Sequence, residues 1–282
     1  MVRSRIISVL GLAVIFNLKS SIFSLSCAQS SYGSLVRQGM EALKTDSLQQ
    51  ADSLFRVALK TEPSQEANHL LYRYLGQIQE RQGRQQQALE CYTAGLERSP
   101  EDVELRLDRA ALLYRMGNAD RALSDYGDVL RRQPRHIEAL QMRAHIFAAR
   151  HDYKSARLDY ETILQLEPMN ERAQVGLILV NDRSGRPREA LEQINALVDI
   201  FPRNALFRAV RGGIHQRRKQ YEQALADLSE AIRLDPTCAD YYVSRATLYL
   251  DMNKRRLARQ DTQEAIRLGA DPHEMASLLK VP

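Results

Sequence analysis

The sequence predicts an all-α fold, an α-solenoid of seven antiparallel helix hairpins closed by a C-terminal capping helix. Three observations predict it. First, the 282 residues are 44% hydrophobic and 27% charged, which suits a folded chain, yet only 6% are aromatic and Trp is absent. With 13 Gly and 9 Pro the chain is poor in the turn and strand residues that a β-sandwich or barrel needs. Second, Pro100, Pro134, Pro168, Pro202 and Pro236 recur every 34 residues, in step with Ala88, Ala122, Ala156, Ala190, Ala224 and Ala258. Third, Asp46, Gly83, Gly117, His151, Gly185, Lys219 and Asn253 occupy one further position of the period. Gly, Asn, Asp and His tolerate the left-handed conformation that ends many helices. Each period therefore reads as helix, tight turn, helix, with Pro ending the second helix because it lacks an N–H and fixes φ. A single hairpin cannot bury its apolar face, whereas stacked hairpins share a continuous core.

Taking the elements in order, residues 1–28 read as a secretory signal. Arg3 and Arg5 form a basic start, Ile6 to Phe16 an apolar run, and Ser26 and Ala28 are small residues before a cut at Gln29. The run is too short to span a bilayer. Three outcomes stay open: cleavage after Ala28, lipidation of Cys27, and an uncleaved anchor. Lipidation is the less regular match, because Ser24 stands where a lipoprotein signal usually has Leu. The net charge of +5 is partly the signal's. Three of the 40 Lys and Arg fall in residues 1–28, which hold no acidic residue, so the rest carries 37 basic against 35 acidic residues. A nucleic-acid-binding domain normally shows a strong basic excess, and no nucleic-acid partner is expected.

Small residues recur at Gly76, Ala110, Ala144, Gly212 and Ala246, with Ile178 as the exception. Tyr92, Tyr126 and Tyr160 form another series, continued by Ile194, Leu228 and Thr262. Gly39, Ala51, Phe55, Ala58 and Pro63 repeat the marks upstream, offset by three residues. These marks closely resemble the tetratricopeptide repeat family, whose 34-residue unit has a small residue at position 8, Ala at 20, an aromatic at 24 and Pro at 32. The resemblance divides residues 29–272 into seven units: 32–65, 69–102, 103–136, 137–170, 171–204, 205–238 and 239–272. Residues 273–282 follow as the capping helix. Asp271 is its N-cap, Pro272 its first position, and Met275, Leu278 and Leu279 its apolar stripe.

One charge pattern follows the period. Arg109, Arg143, Arg211 and Arg245 stand at position 7, and Asp125, Asp159, Asp227 and Asp261 at position 23 of the same units. Where one partner is missing so is the other: Gln38 with Leu54, Leu75 with Cys91, Leu177 with Gln193. Sixteen residues is too far for contact along one helix and suits contact between the two helices of a hairpin. Four structural Arg–Asp bridges are predicted. Cys91 and Cys238, in distant repeats, are expected to be buried and unpaired.

The resemblance implies a protein-interaction scaffold whose first helices line a concave groove, through positions 2, 5, 9, 12 and 13. Carried over, these positions give Arg73, Gln77, Arg81, Leu107, Tyr114, Arg115, Gln141, His145, Arg183 and Arg217 as partner-binding candidates, with Glu80, Ala111, Ala148, Leu179, Asp182 and Gln216 beside them. Position 13 is basic in five units (Lys44, Arg81, Arg115, Arg183, Arg217). That stripe reads either as an attraction for an acidic peptide or as basic helix ends suiting the dipole. Some relatives grip a chaperone's C-terminal carboxylate with Lys at 5 and Asn at 9. Here those positions read Val36/Met40, Arg73/Gln77, Leu107/Ala111 and Gln141/His145, so that clamp is absent. No zinc-hydrolase histidine pattern, phosphate loop, nucleophile elbow or Cys-x-x-Cys occurs. No catalytic residue, metal, cofactor or small-molecule substrate is expected. The expected function is a non-catalytic scaffold exported to the periplasm or cell envelope, holding a peptide or protein partner. A membrane enters only if Cys27 is lipidated. Two alternatives remain open: a lipid-anchored assembly factor of an outer-membrane machine, and an accessory subunit of an envelope enzyme.

Overall fold

A computed structural model describes residues 31–279. The signal reading of residues 1–28 and the end of the chain beyond Leu279 lie outside the described residues. Fifteen helices run through the described chain, with no strand among the described residues. In chain order they are α1 Tyr32–Lys44, α2 Leu48–Thr61, α3 Asn68–Arg81, α4 Gln85–Arg98, α5 Val103–Arg115, α6 Ala119–Arg132, α7 Ile137–Ala149, α8 Tyr153–Leu166, α9 Glu171–Arg183, α10 Pro187–Ile200, α11 Ala205–Arg217, α12 Tyr221–Leu234, α13 Ala239–Asp251, α14 Arg255–Arg267 and α15 Pro272–Leu279. The fold is all-α and of the solenoid class: helices pair as hairpins, and within each compact unit hairpins pack on their sequence neighbours. The chain divides into two compact units between Val129 and Leu130.

The hairpin turns share one device. Asp46, Gly83, Gly117, His151, Gly185, Lys219 and Asn253 all have φ between 55° and 84°, as the tight-turn reading requires. In each, the next residue's N–H reaches back five residues, as in Arg84 N to Gln79 O at 2.8 Å and Asn118 N to Leu113 O at 2.8 Å. This closes the open carbonyls of the first helix. Lys219 is the one long side chain so placed. The starts of first helices share a second device. Asp102, His136, Asn170 and Asn204 stand 34 residues apart and cap α5, α7, α9 and α11 by accepting a backbone N–H three residues on.

In the first unit the core gathers Leu35, Phe55, Leu71, Leu75 and Ile78, flanked by Tyr74, which stacks on Phe55 with centroids 5.7 Å apart. Small residues let the rings in. A Cβ on Gly39 would meet the Phe55 ring at 2.4 Å, and one on Gly76 the Tyr92 ring at 2.3 Å. In the second unit, Ile178, Ile194, Val198, Phe207 and Ile214 form one cluster, and Leu228 with Leu248 another. The exception at Ile178 is balanced within its hairpin, because Ile194 replaces the aromatic ring opposite it.

Cys91 and Cys238 are free thiols, as expected, but half-buried rather than buried. Cys91 takes the place of the bridging aspartate opposite Leu75, and desolvation raises its thiol pKa. Cys238 precedes α13 at the capping position.

Candidate functional face of the first helices

Inside the hairpins, arginine and aspartate meet with two hydrogen bonds each. Arg109 Nη2 lies 2.7 Å from Asp125 Oδ1 and its Nε 2.8 Å from Oδ2. Arg143 with Asp159 and Arg211 with Asp227 repeat the same pair of distances. Arg245 holds Asp261 at 2.8 and 3.0 Å. The four aspartates are only 2–7% exposed. Their hydrogen bonds hold Arg211 and Arg245 above the ordinary arginine range. These residues are occupied in building hairpins.

In the first unit the partner-binding candidates lie largely in bridges between hairpins. Arg73 Nε is 2.7 Å from Asp108 and its Nη2 3.0 Å from Glu104. Gln77 donates to the same Asp108 at 3.0 Å. Arg81 reaches Asp46 at 3.4 Å, and Arg115 pairs with Glu80, which also accepts from the Tyr92 hydroxyl at 2.6 Å. Gln77, Glu80, Asp108 and Arg115 wall a polar recess of about 410 Å³. Leu107 is 5% exposed and belongs to the core, while Tyr114 is half-buried.

In the second unit Arg217 of α11 lies 2.7 Å from Asp182 of α9, and Gln216 donates to Asp251 of α13 at 2.7 Å. A rule emerges across both units: position 13 of a hairpin bonds a polar residue of the preceding hairpin, position 12 where the spacing is 34. Glu80 with Arg115, Asp182 with Arg217 and Gln216 with Asp251 obey it. The basic stripe stands in the last turns of the first helices and is chiefly a ladder between repeats rather than a set of free cations. Sequence reasoning missed it, though the 35-residue complementarity is legible in the chain.

Arg183 breaks the rule. Its counterpart one hairpin earlier is Ala148. Arg183 is exposed, and its guanidinium has neither ion pair nor hydrogen bond among the described residues. It stands at the rim of a half-enclosed cavity of about 220 Å³ within the second unit. Helix α7 supplies His145, Ala148 and Ala149 to the wall, α8 Tyr153 and Tyr160, and α9 Gly176, Leu179, Val180 and Arg183. His145 is exposed and Gln141 half-buried. The Tyr153 hydroxyl is engaged with His151 Nδ1 at 2.7 Å. Tyr160 is 6% exposed, and burial pushes its pKa up to about 12. Its ring tip fills the space a side chain at Gly176 would need, with Cζ only 2.4 Å from an added Cβ. Gly176 and Tyr160 were not legible as site residues. The one signal was a glycine two places before the exceptional Ile178.

Among the described residues no three of His, Cys, Asp or Glu converge as a metal site would, and no described helix is long and apolar enough to cross a membrane.

A chain of recurring two-helix units, sharing turn, cap and ladder, is a helical-repeat protein. Five overlapping stretches, 36–103, 75–136, 107–168, 141–205 and 181–239, match the model of the tetratricopeptide repeat. The chain belongs to the tetratricopeptide repeat family. Among solved structures it resembles a tetratricopeptide repeat protein from Parabacteroides merdae, with 27% identity over 88% of this chain and 97% of that one, and a TM-score of 0.81. The Cut9–Hcn1 hetero-tetramer of APC/C (15% identity, 93% of this chain and 57% of that one, TM-score 0.55) shares the fold. So does MamA protein (14%, 60% and 90%, TM-score 0.54). No curated protein matches the sequence.

Proposed function

We propose that this chain is a non-catalytic scaffold, exported to a bacterial cell envelope, whose first-helix face in the second unit holds a peptide or protein partner. The observation that carries the reading is the cavity between the fourth and fifth hairpins. There Arg183 stands exposed and without an ion pair among the described residues, beside apolar Leu179 and Val180, whereas Arg73, Gln77, Arg81, Arg115 and Arg217 are held by neighbouring repeats. Family membership supports an interaction module over an enzyme. Export rests on Arg3, Arg5, the apolar run from Ile6 to Phe16, and the small residues before Gln29. Cys27 supports a second reading, a lipid-anchored assembly factor using the same repeats.

A photo-crosslinker placed at Leu179 or Gln141 in the native envelope tests the binding face. Adducts at these positions, with few at Leu158 on the second helix, are expected. Adducts confined to second-helix positions would overturn the reading. Mass spectrometry of the mature N-terminus separates the two envelope readings: a free Gln29 marks the soluble scaffold, an acylated Cys27 the anchored factor, and an intact Met1 contradicts both.

A further inference from the structure

We propose that the cavity between the fourth and fifth hairpins binds a carboxylate on a short apolar stem, supplied by an acidic side chain or the C-terminus of the partner polypeptide. The proposal rests on the reading of the first-helix face above and gives that site its ligand chemistry.

Charge comes first. Arg81, Arg115 and Arg217 are each neutralised by an acidic residue of the preceding hairpin. At the matching place before Arg183 stands Ala148, and no Asp or Glu lines the cavity. An unpaired guanidinium beside a recess presents a planar fork of donors that matches a carboxylate with two parallel bonds.

Tyr160 is the second, independent observation. Its side chain is only 6% exposed and lines the cavity, and its hydroxyl is not among the sealed polar atoms that lack a partner, so it opens on accessible space. By contrast, Tyr92, at the same position of the second hairpin, donates to Glu80 at 2.6 Å. The Tyr160 ring reaches Gly176 on the cavity wall, where any larger residue would displace it. The hydroxyl keeps its proton far above neutral pH and can only gain from an acceptor. A carboxylate accepts from both Arg183 and Tyr160.

The remaining wall sets the stem. Ala148, Leu179 and Val180 are apolar. The cavity of about 220 Å³ has room for a side chain's end, given that one water occupies about 30 Å³ of liquid. One guanidinium matches one negative charge better than a dianionic phosphate.

The test is ¹⁹F NMR of 4,4,4-trifluorobutyrate with the full chain, against 4,4,4-trifluorobutanamide, which keeps the stem and loses the charge. We expect the acid to bind at least about tenfold more tightly, because a charged hydrogen-bond pair is worth about 1.5–3 kcal/mol. Arg183→Gln should remove most of that preference. Tyr160→Phe, which keeps the buried ring, should weaken the acid about threefold and leave the amide unchanged. Arg203→Gln, a charge removed from an exposed loop, should change neither, and circular dichroism should show all variants folded. Equal binding of acid and amide, survival of the preference in Arg183→Gln, or stronger displacement by inorganic phosphate than by acetate would overturn the proposal. Displacement by acetyl-Ala-Ala-Glu-Ala-amide marks a side chain as the source, and displacement by acetyl-Ala-Ala-Gln-Ala with a free C-terminus marks a chain end. Equal displacement by the uncharged acetyl-Ala-Ala-Gln-Ala-amide would again overturn it. Crosslinks from Leu179 to a partner that binds without any carboxylate would leave the scaffold reading standing and this proposal fallen.

Discussion

Lys219 holds a left-handed turn with φ of 59°, where three other hairpins use glycine. A side chain with a Cβ is strained there by about 1–2 kcal/mol, offset in part by glycine's greater freedom in the unfolded chain. Lys219→Gly is therefore expected to stabilise the second unit by about 0.5–1 kcal/mol, read as a higher midpoint of thermal melting at 222 nm. A pair of glycines makes the opposite point. A Cβ on Gly76 strikes the Tyr92 ring, whereas one on Gly127, within α6, meets nothing within 4 Å. Gly127→Ala should gain about 0.5–1 kcal/mol from helix propensity. Gly76→Ala has the same propensity gain but overpacks the core at a cost of about 1–3 kcal/mol. It should come out less stable than Gly127→Ala in the same urea titration. Equal gains would show that Tyr92 moves aside freely.

Tyr160 carries a pH signature. Its folded pKa of about 12 lies above the ordinary tyrosine value of 10. The folded state thus keeps a proton that the unfolded state releases, and this contribution to stability is lost as pH rises from about 10 towards 12. Tyr160→Phe should show a shallower loss of stability over that window than the parent chain. Parallel losses would mean that Tyr160 ionises in the fold as easily as in the open chain.

At the scale of elements, the Arg–Asp bridges tie the two helices of a hairpin. Asp159 is 2% exposed and takes two hydrogen bonds from Arg143. Arg143→Leu strands that charge and should cost about 3–5 kcal/mol. The fifth hairpin, with Leu177 and Gln193 in the two places, shows a neutral solution. Arg143→Leu combined with Asp159→Gln should recover at least half the loss in chemical denaturation. A double variant as unstable as the single one would mean that the bridge fixes geometry that the neutral pair cannot.

The elements also show what could be read from the chain alone. The turn residues were legible because the left-handed conformation admits few residue types, so a column of Asp, Gly, His, Lys and Asn at fixed spacing has a local cause. The caps at Asp102, His136, Asn170 and Asn204 are equally local and keep the same period. The 12-to-13 ladder was not legible from single-repeat reasoning, since its bonds join residues of different hairpins. From the chain alone the basic stripe reads either as an attraction for an acidic peptide or as basic helix ends, and in the structure Asp46, Glu80 and Asp182 take up three of its charges.

For the whole molecule, this division of labour shapes the account of function. Polar residues of the first helices tie the two helices of a hairpin, hold one repeat to the next, or face outward. The recurring marks locate the repeats, but Gly176, Ala148 and Arg183, which the marks do not single out, line one cavity in the second unit. Periodicity identifies a fold and is blind to such a place, because a site is a departure from the period. Leu158 and Ile200, 64% and 66% exposed on second helices, are the competing surface.

The most direct test is recovery of the crosslinked partner with two folded single variants, Arg183→Glu on the first-helix face and Leu158→Glu on a second helix. The account predicts that Arg183→Glu lowers recovery at least about tenfold, the loss of one charged contact and its reversal, while Leu158→Glu leaves it unchanged. Unchanged recovery with Arg183→Glu, and loss with Leu158→Glu, would contradict it.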